Sequence, residues 1–147
     1  MPTITLETGS PYFTDPEDLE DLATGFRVRS PETTIVVVPP WHQRGHPFTP
    51  WEVVHAWGSS DLLTGGIAGW IVDGLTAWVR TRRKQAEVEV AELVKQDPTV
   101  RRTVRPIRVI IYDQDGEAVT AIQQLSQDPH PREVIERPAD KRPPTLA

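Results

Sequence analysis

A chain of 147 residues with a formal charge of −5 and no cysteine is long enough to bury the core of one domain and holds neither a disulfide framework nor a thiolate metal site. The acidic balance disfavours non-specific binding to nucleic acid by the molecule as a whole. Fifteen prolines, about twice the number expected at the usual share of roughly 5%, gather near both ends and in a middle loop, which implies a compact core with long connections. With no cysteine and no basic-then-apolar signal pattern across Met1 to Phe13, a cytoplasmic setting is expected.

In chain order, Thr3 to Leu6 alternates Thr, Ile, Thr, Leu and suits a short edge strand. Asp15-Pro16 followed by Glu17, Asp18, Glu20 and Asp21 has the cap, the first-turn proline and the acids of a helix N-terminus. Leu19, Leu22 and Ala23 give that helix a thin apolar stripe, and Gly25 is read as its stop. Phe26 to Ser30 alternates apolar residues with Arg. Thr33 to Val38 (TTIVVV) is β-branched throughout and predicts an inner strand covered on both faces, ended by Pro39-Pro40.

The loop from Trp41 to Pro47 contains His42 and His46, with His55 further on. Three histidines invite a zinc reading, but the first two flank a glycine in a proline-bounded loop with no thiol or carboxylate beside them. Ordinary hydrogen bonding is the better account. Phe48 to Val53 carries a strong local signal: Thr49 as cap, Pro50 in the first turn, Glu52 reaching back to the cap, and Phe48 stapling onto Val53. A short helix is predicted there, ending at Gly58.

The longest apolar segment runs from Asp61 to Lys84. Leu63, Ile67, Trp70, Ile71, Gly74, Leu75 and Trp78 recur at three- and four-residue steps and form one broad helical face. Gly65, Gly69, Asp73, Thr76, Ala77 and Arg80 form the other, with a notch of small residues on successive turns suited to close backbone approach. The segment closes on Arg80, Arg82, Arg83 and Lys84, which the helix dipole favours at a C-terminus. Gln85 to Gln96 is rich in helix formers and Asp97-Pro98 is the first firm stop, so the helix is predicted either to continue to about Lys95 or to break near Lys84 and resume. Ile107 to Tyr112 is a strand, Asp113 to Gly116 a turn whose aspartates serve the turn rather than calcium, and Glu117 to Ile122 the returning strand.

These elements predict a single α+β domain over residues 1–125. A small sheet of three to four strands is covered by the long central amphipathic helix, and residues 126–147 form a disordered, flexible tail rich in Pro and charge. Leu62 to Val79 reaches the lower length limit for a membrane span. Against a span stand Asp73, whose insertion costs on the order of 2.5–3.5 kcal/mol, four glycines, and the amphipathic pattern. Nucleic acid would need Arg80, Arg82, Arg83 and Lys84 brought beside Arg101, Arg102, Arg105 and Arg108. No nucleophile elbow, phosphate-cradling glycine loop or dinucleotide fingerprint is present, so no catalytic, cofactor or metal residue is assigned. The expected function is a non-enzymatic protein-interaction or assembly module, with a protein partner or self-association. Five tryptophans in a short acidic chain motivate it, since Trp and Arg concentrate at binding hot spots. The partner-facing residues on this reading are Gly65, Gly69, Trp70, Asp73, Trp78, Arg80, Arg82, Arg83 and Lys84. Membrane association through the Leu62–Val79 helix, and an accessory nucleic-acid role for the basic clusters, are the competing readings.

The glycine-bearing helix closing on AWVRTRRK (Ala77 to Lys84), followed by a strand and the DxDGxxV hairpin from Asp113 to Val119, resembles a family of small bacterial proteins called effector-associated constant components. The resemblance spans roughly Gly65 to Val119, with about twenty residues between Lys84 and the strand where the family passes almost directly into it. It implies a helper module encoded beside varied effectors of conflict and signalling systems, without catalytic residues.

Overall fold

The computed structural model describes residues 2–9, 16–38, 51–59, 69–99 and 103–135. They form six strands and two helices: β1 (Thr3–Thr8), α1 (Pro16–Arg29), β2 (Thr34–Val37), β3 (Glu52–Gly58), α2 (Gly69–Gln96), β4 (Ile107–Tyr112), β5 (Ala118–Gln124) and β6 (Arg132–Ile135). The strands make one mixed sheet in the order β2-β1-β3-β4-β5-β6. β1 and β2 are parallel, as are β3 and β4; β1 meets β3 antiparallel, and β4, β5 and β6 form an antiparallel meander. Two β-α-β units therefore sit back to back, joined through their first strands.

Both helices cover the same face of this sheet and touch each other. The core is built from alternate strand residues, Ile4 and Leu6, Ile35, Val54 and Ala56, Ile107, Val109 and Ile111, and Ile122, against Leu19, Leu22, Ala23 and Phe26 of α1 and Ile71, Leu75, Trp78 and Val79 of α2. The strand residues obey the two-residue period of a pleated sheet and the helix residues the three- and four-residue steps of a buried stripe. At 28 residues and a rise of 1.5 Å per residue, α2 is about 42 Å long. It is unbroken past Lys84, and its last buried side chain is Arg83.

The architecture corrects the expected small sheet of three to four strands under one helix. Glu52 to Gly58, read as a helix, is β3, at the centre of the sheet; the capping residues Thr49 and Pro50 lie outside the described residues. Pairing on both sides, with β1 and with β4, outweighs a local helix-start signal. The residues turned toward the helices, Glu52, Val54, Ala56 and Gly58, include one carboxylate and one glycine, which hid the alternation.

Edge and interior also change places. Thr3 to Leu6, expected at an edge, belongs to β1 between β2 and β3, whereas the Val-rich segment expected inside is the edge strand β2, with Val36 exposed. The Arg27 guanidinium donates to the Ile35 carbonyl at 3.0 Å, and a charge on an edge carbonyl discourages further strand pairing. α1 runs through Gly25 to Arg29, because Phe26, which is buried against α2, continues the apolar stripe. The expected disordered tail contains β6, held by backbone pairing to β5; residues 136–147 lie outside the described set.

The turn from Asp113 to Gly116 is as its composition predicts. Gly116 has φ +82°, its N–H donates to the Asp113 carbonyl at 3.0 Å, and the Asp113 carboxylate accepts from the amides of Asp115 and Glu117. A left-handed φ is where glycine avoids the Cβ penalty.

Candidate functional site

α1 and α2 lie antiparallel. Phe26, near the end of α1, packs edge-to-face on Trp70 at the start of α2 (ring centroids 5.6 Å, 83°). Asp18, in the first turn of α1, meets Trp78 and Arg82 further along α2: the indole Nε1–H donates to the Asp18 carbonyl at 3.2 Å, and Arg82 lies 3.4 Å from the Asp18 carboxylate. Between the helices runs a groove of ≈ 270 Å³. Leu22, Phe26, Gly74, Ala77 and Trp78 line its apolar part; Asp18, Asp21 and Arg82 lie toward one end and Arg29 toward the other. An apolar trough with few polar groups at its margins is the usual form of a site for a peptide side chain or an amphipathic helix.

The close approach between the helices is made at Gly74. A Cβ there would meet Phe26 Cε1 at 2.5 Å, whereas nothing lies within 4 Å of a Cβ added at Gly69. The intramolecular notch therefore belongs to the bulky stripe of α2. Gly69, Asp73 and Ala77 form an exposed stripe beside it, and Ala77 also lines the groove. Gly65 lies outside the described residues.

The basic cluster separates according to helix phase. Arg83 is 9% exposed and donates to the carbonyls of Leu125 (2.8 Å) and Ser126 (2.6 Å), with Glu87 3.4 Å from its Nε. It fastens α2 to the loop between β5 and β6. That loop is ordered from within by Asp128, whose carboxylate accepts from the Leu125 amide and from Arg132. These contacts, the Leu125 amide foremost, hold its carboxyl below the usual range. Arg82 forms an ion pair with the buried Glu52 of β3, its Nε donating at 2.9 Å, and its guanidinium lies 5.7 Å from the Trp78 ring centroid. Arg80 and Lys84 are exposed. Arg108 sits on the opposite face of the sheet, between the inward-facing Ile107 and Val109, and donates to Gln123 at 3.0 Å. Arg108, of the second basic cluster that a nucleic-acid role would need beside the first, is thus turned away from the helix face; Arg101 and Arg102 lie outside the described residues.

The sheet face away from the helices has its own network. His55 Nδ1 and the Tyr112 hydroxyl share a hydrogen bond of 2.8 Å, and Trp57 stacks on Tyr112 (5.1 Å, 19°). Glu7, directly across from His55 in the β1/β3 register, is 2% exposed. Burial raises the Tyr112 pKa, Arg108 opposes the rise and Glu7 adds to it. His55 is thus hydrogen-bonded on a strand rather than in a loop; His42 and His46 lie outside the described residues. Reading Glu52 to Gly58 as a helix concealed this cluster, because only a strand puts His55 and Trp57 side by side on one face.

Of the residues expected to face a partner, Trp78 and Arg82 line the groove, Trp70 supports Phe26 beside it, and Gly69 and Asp73 flank it on α2. Arg83 is turned inward. The α1 wall, Asp21, Leu22, Phe26 and Arg29, was missed: with Gly25 taken as a stop, Phe26 and Arg29 fell outside the helix. No helix among the described residues is long and apolar enough to cross a membrane; Ile71, Leu75, Trp78 and Val79, which a span would give to lipid, are in the core. Comparison with protein-family models, with curated proteins and with solved structures gave no match to this chain.

Proposed function

We propose that the chain is a non-enzymatic accessory module that assembles with another protein chain through the groove between α1 and α2. The observation that carries this reading is the groove itself, an apolar trough bordered by opposite charges on the outward side of a two-helix layer. Its volume of ≈ 270 Å³ suits one or two anchoring side chains, the form in which amphipathic helices are recognised. The role of helper to an effector, implied by the resemblance to effector-associated constant components, is part of the proposal. So is a cytoplasmic setting, supported by the cysteine-free composition.

A photo-crosslinking residue in place of Ala77, exposed at the groove, tests the reading directly. In cells that make the protein it should give a discrete protein adduct, while the same residue in place of Gln114, in the distant β4–β5 turn, should not. Adducts at Gln114 with none at Ala77 would move the assembly surface away from the groove.

A further inference from the structure

We propose that the groove is filled by a second copy of this chain, with α1 of each copy lying antiparallel to the other about a two-fold axis at Gly25. This rests on the groove being an assembly surface and names its occupant.

The outward side of α1 is self-complementary. In an α-helix, residues n positions before and after a given residue lie at opposite angles and opposite heights relative to it. A two-fold axis passing beside that residue, at right angles to both helices and to the line joining them, therefore brings each level with the other's counterpart on the facing helix, the arrangement of an isologous interface. Around Gly25, the residues four positions away are Asp21 and Arg29, one acid and one base. Both border the groove, and neither has an ion pair within the chain among the described residues. The axis sets Asp21 against Arg29 of the second copy, twice over.

Three positions from Gly25 lie Leu22 and Val28. Val28 is 76% exposed, the most exposed of the large hydrophobic residues among those described, and Leu22 lines the groove. The same axis brings Val28 of one copy level with Leu22 of the other, so that pairing covers the exposed Val28 side chain. At the axis, nothing lies within 4 Å of a Cβ added to Gly25, and Thr24 beside it is exposed and short, so two helix backbones can approach closely there. Antiparallel pairing also keeps the acidic first turns of α1, with Glu17 and Asp18, at opposite ends of the contact, whereas parallel pairing would stack them.

Sedimentation velocity on the full chain across a concentration series should show a monomer–dimer equilibrium. Arg29→Asp and Asp21→Arg should each weaken dimerisation roughly tenfold, since each turns two attractive exposed pairs into two repulsive ones. The double variant carrying both changes restores opposite charges and should dimerise like the wild type, with circular dichroism confirming that all three variants are folded. A double variant as weak as the singles, or a chain that stays monomeric at every concentration, overturns the two-fold pairing. The Ala77 crosslink separates this proposal from the assembly reading. An adduct of two copies supports both. A monomeric chain crosslinked to a different protein overturns the self-pairing alone, and the absence of any adduct overturns both.

Discussion

The two β-α-β units share one topology and use their charges in opposite ways. In the second unit, the arginines of α2 are spent on the fold: Arg82 bonds the buried Glu52 of β3, and Arg83 reaches the backbone carbonyls beyond β5. In the first, Arg27 of α1 turns back to the sheet, and Asp21 and Arg29 stay at the margin of a groove. Helix phase separates these fates. A charge on the stripe next to the core must find partners or stay desolvated at a cost, while one on the outer stripe is solvated until another molecule covers it. A charge run in the sequence therefore marks a surface only after the helix phase is known.

That contrast breaks down if charge removal costs the same in both units. The largest effect is expected for Arg83→Ala. Losing two charge-assisted bonds to backbone carbonyls should destabilise the fold by about 3 kcal/mol, read as a shift in denaturant midpoint, whereas Asp21→Ala and Arg29→Ala should stay within about 0.5 kcal/mol. A smaller effect is expected at the helix–helix approach. Gly74→Ala places a Cβ against Phe26 and should cost about 1–3 kcal/mol by overpacking; Gly25→Ala, with open space around it, should stabilise by about 0.5–1 kcal/mol. Equal melting temperatures for these two variants would show that Phe26 yields freely.

The smallest effect is confined to acid. Asp128 is held below its unfolded pKa by the Leu125 amide and Arg132, so its stabilisation is fully present above the ordinary carboxylate pKa of about 3.9. It is lost as pH falls through the lowered folded value. Asp128→Asn should be less stable than wild type at neutral pH and converge with it in acid. A constant gap across the acid range would mean that the side chain's shape matters and its charge does not.

Much of the fold was legible where one force dominated. Ile71, Leu75 and Trp78 announce a buried helical stripe, Ile107 to Tyr112 a strand, and the DQDG turn its own geometry. Strand order was not legible, because it depends on which segments are neighbours in space: TTIVVV looks more interior than TITLET, yet β2 is at the edge and β1 inside. Glu52 to Gly58 failed for a related reason. Its inward face includes Glu52, made tolerable by Arg82 thirty residues away, and no local pattern signals a partner at that distance. The groove was half legible, with Trp78 and Arg82 anticipated and the α1 wall hidden by one glycine that does not end its helix.

The position of β1 has a kinetic consequence. It is the first in chain order of the described strands, yet it pairs with Ile35 and its neighbours on one side and with residues near Ala56 on the other, and β3 must then wait for β4, about fifty residues further on. Sheets assembled from such distant pairings close slowly, because loop entropy is lost before the contacts reward it. During synthesis, β1, α1 and β2 will be complete while the inner edge of β1 is still bare. The nascent chain therefore passes through a stage in which an interior strand of the final sheet is an open template, and the return of β3 to that edge is the step expected to limit folding.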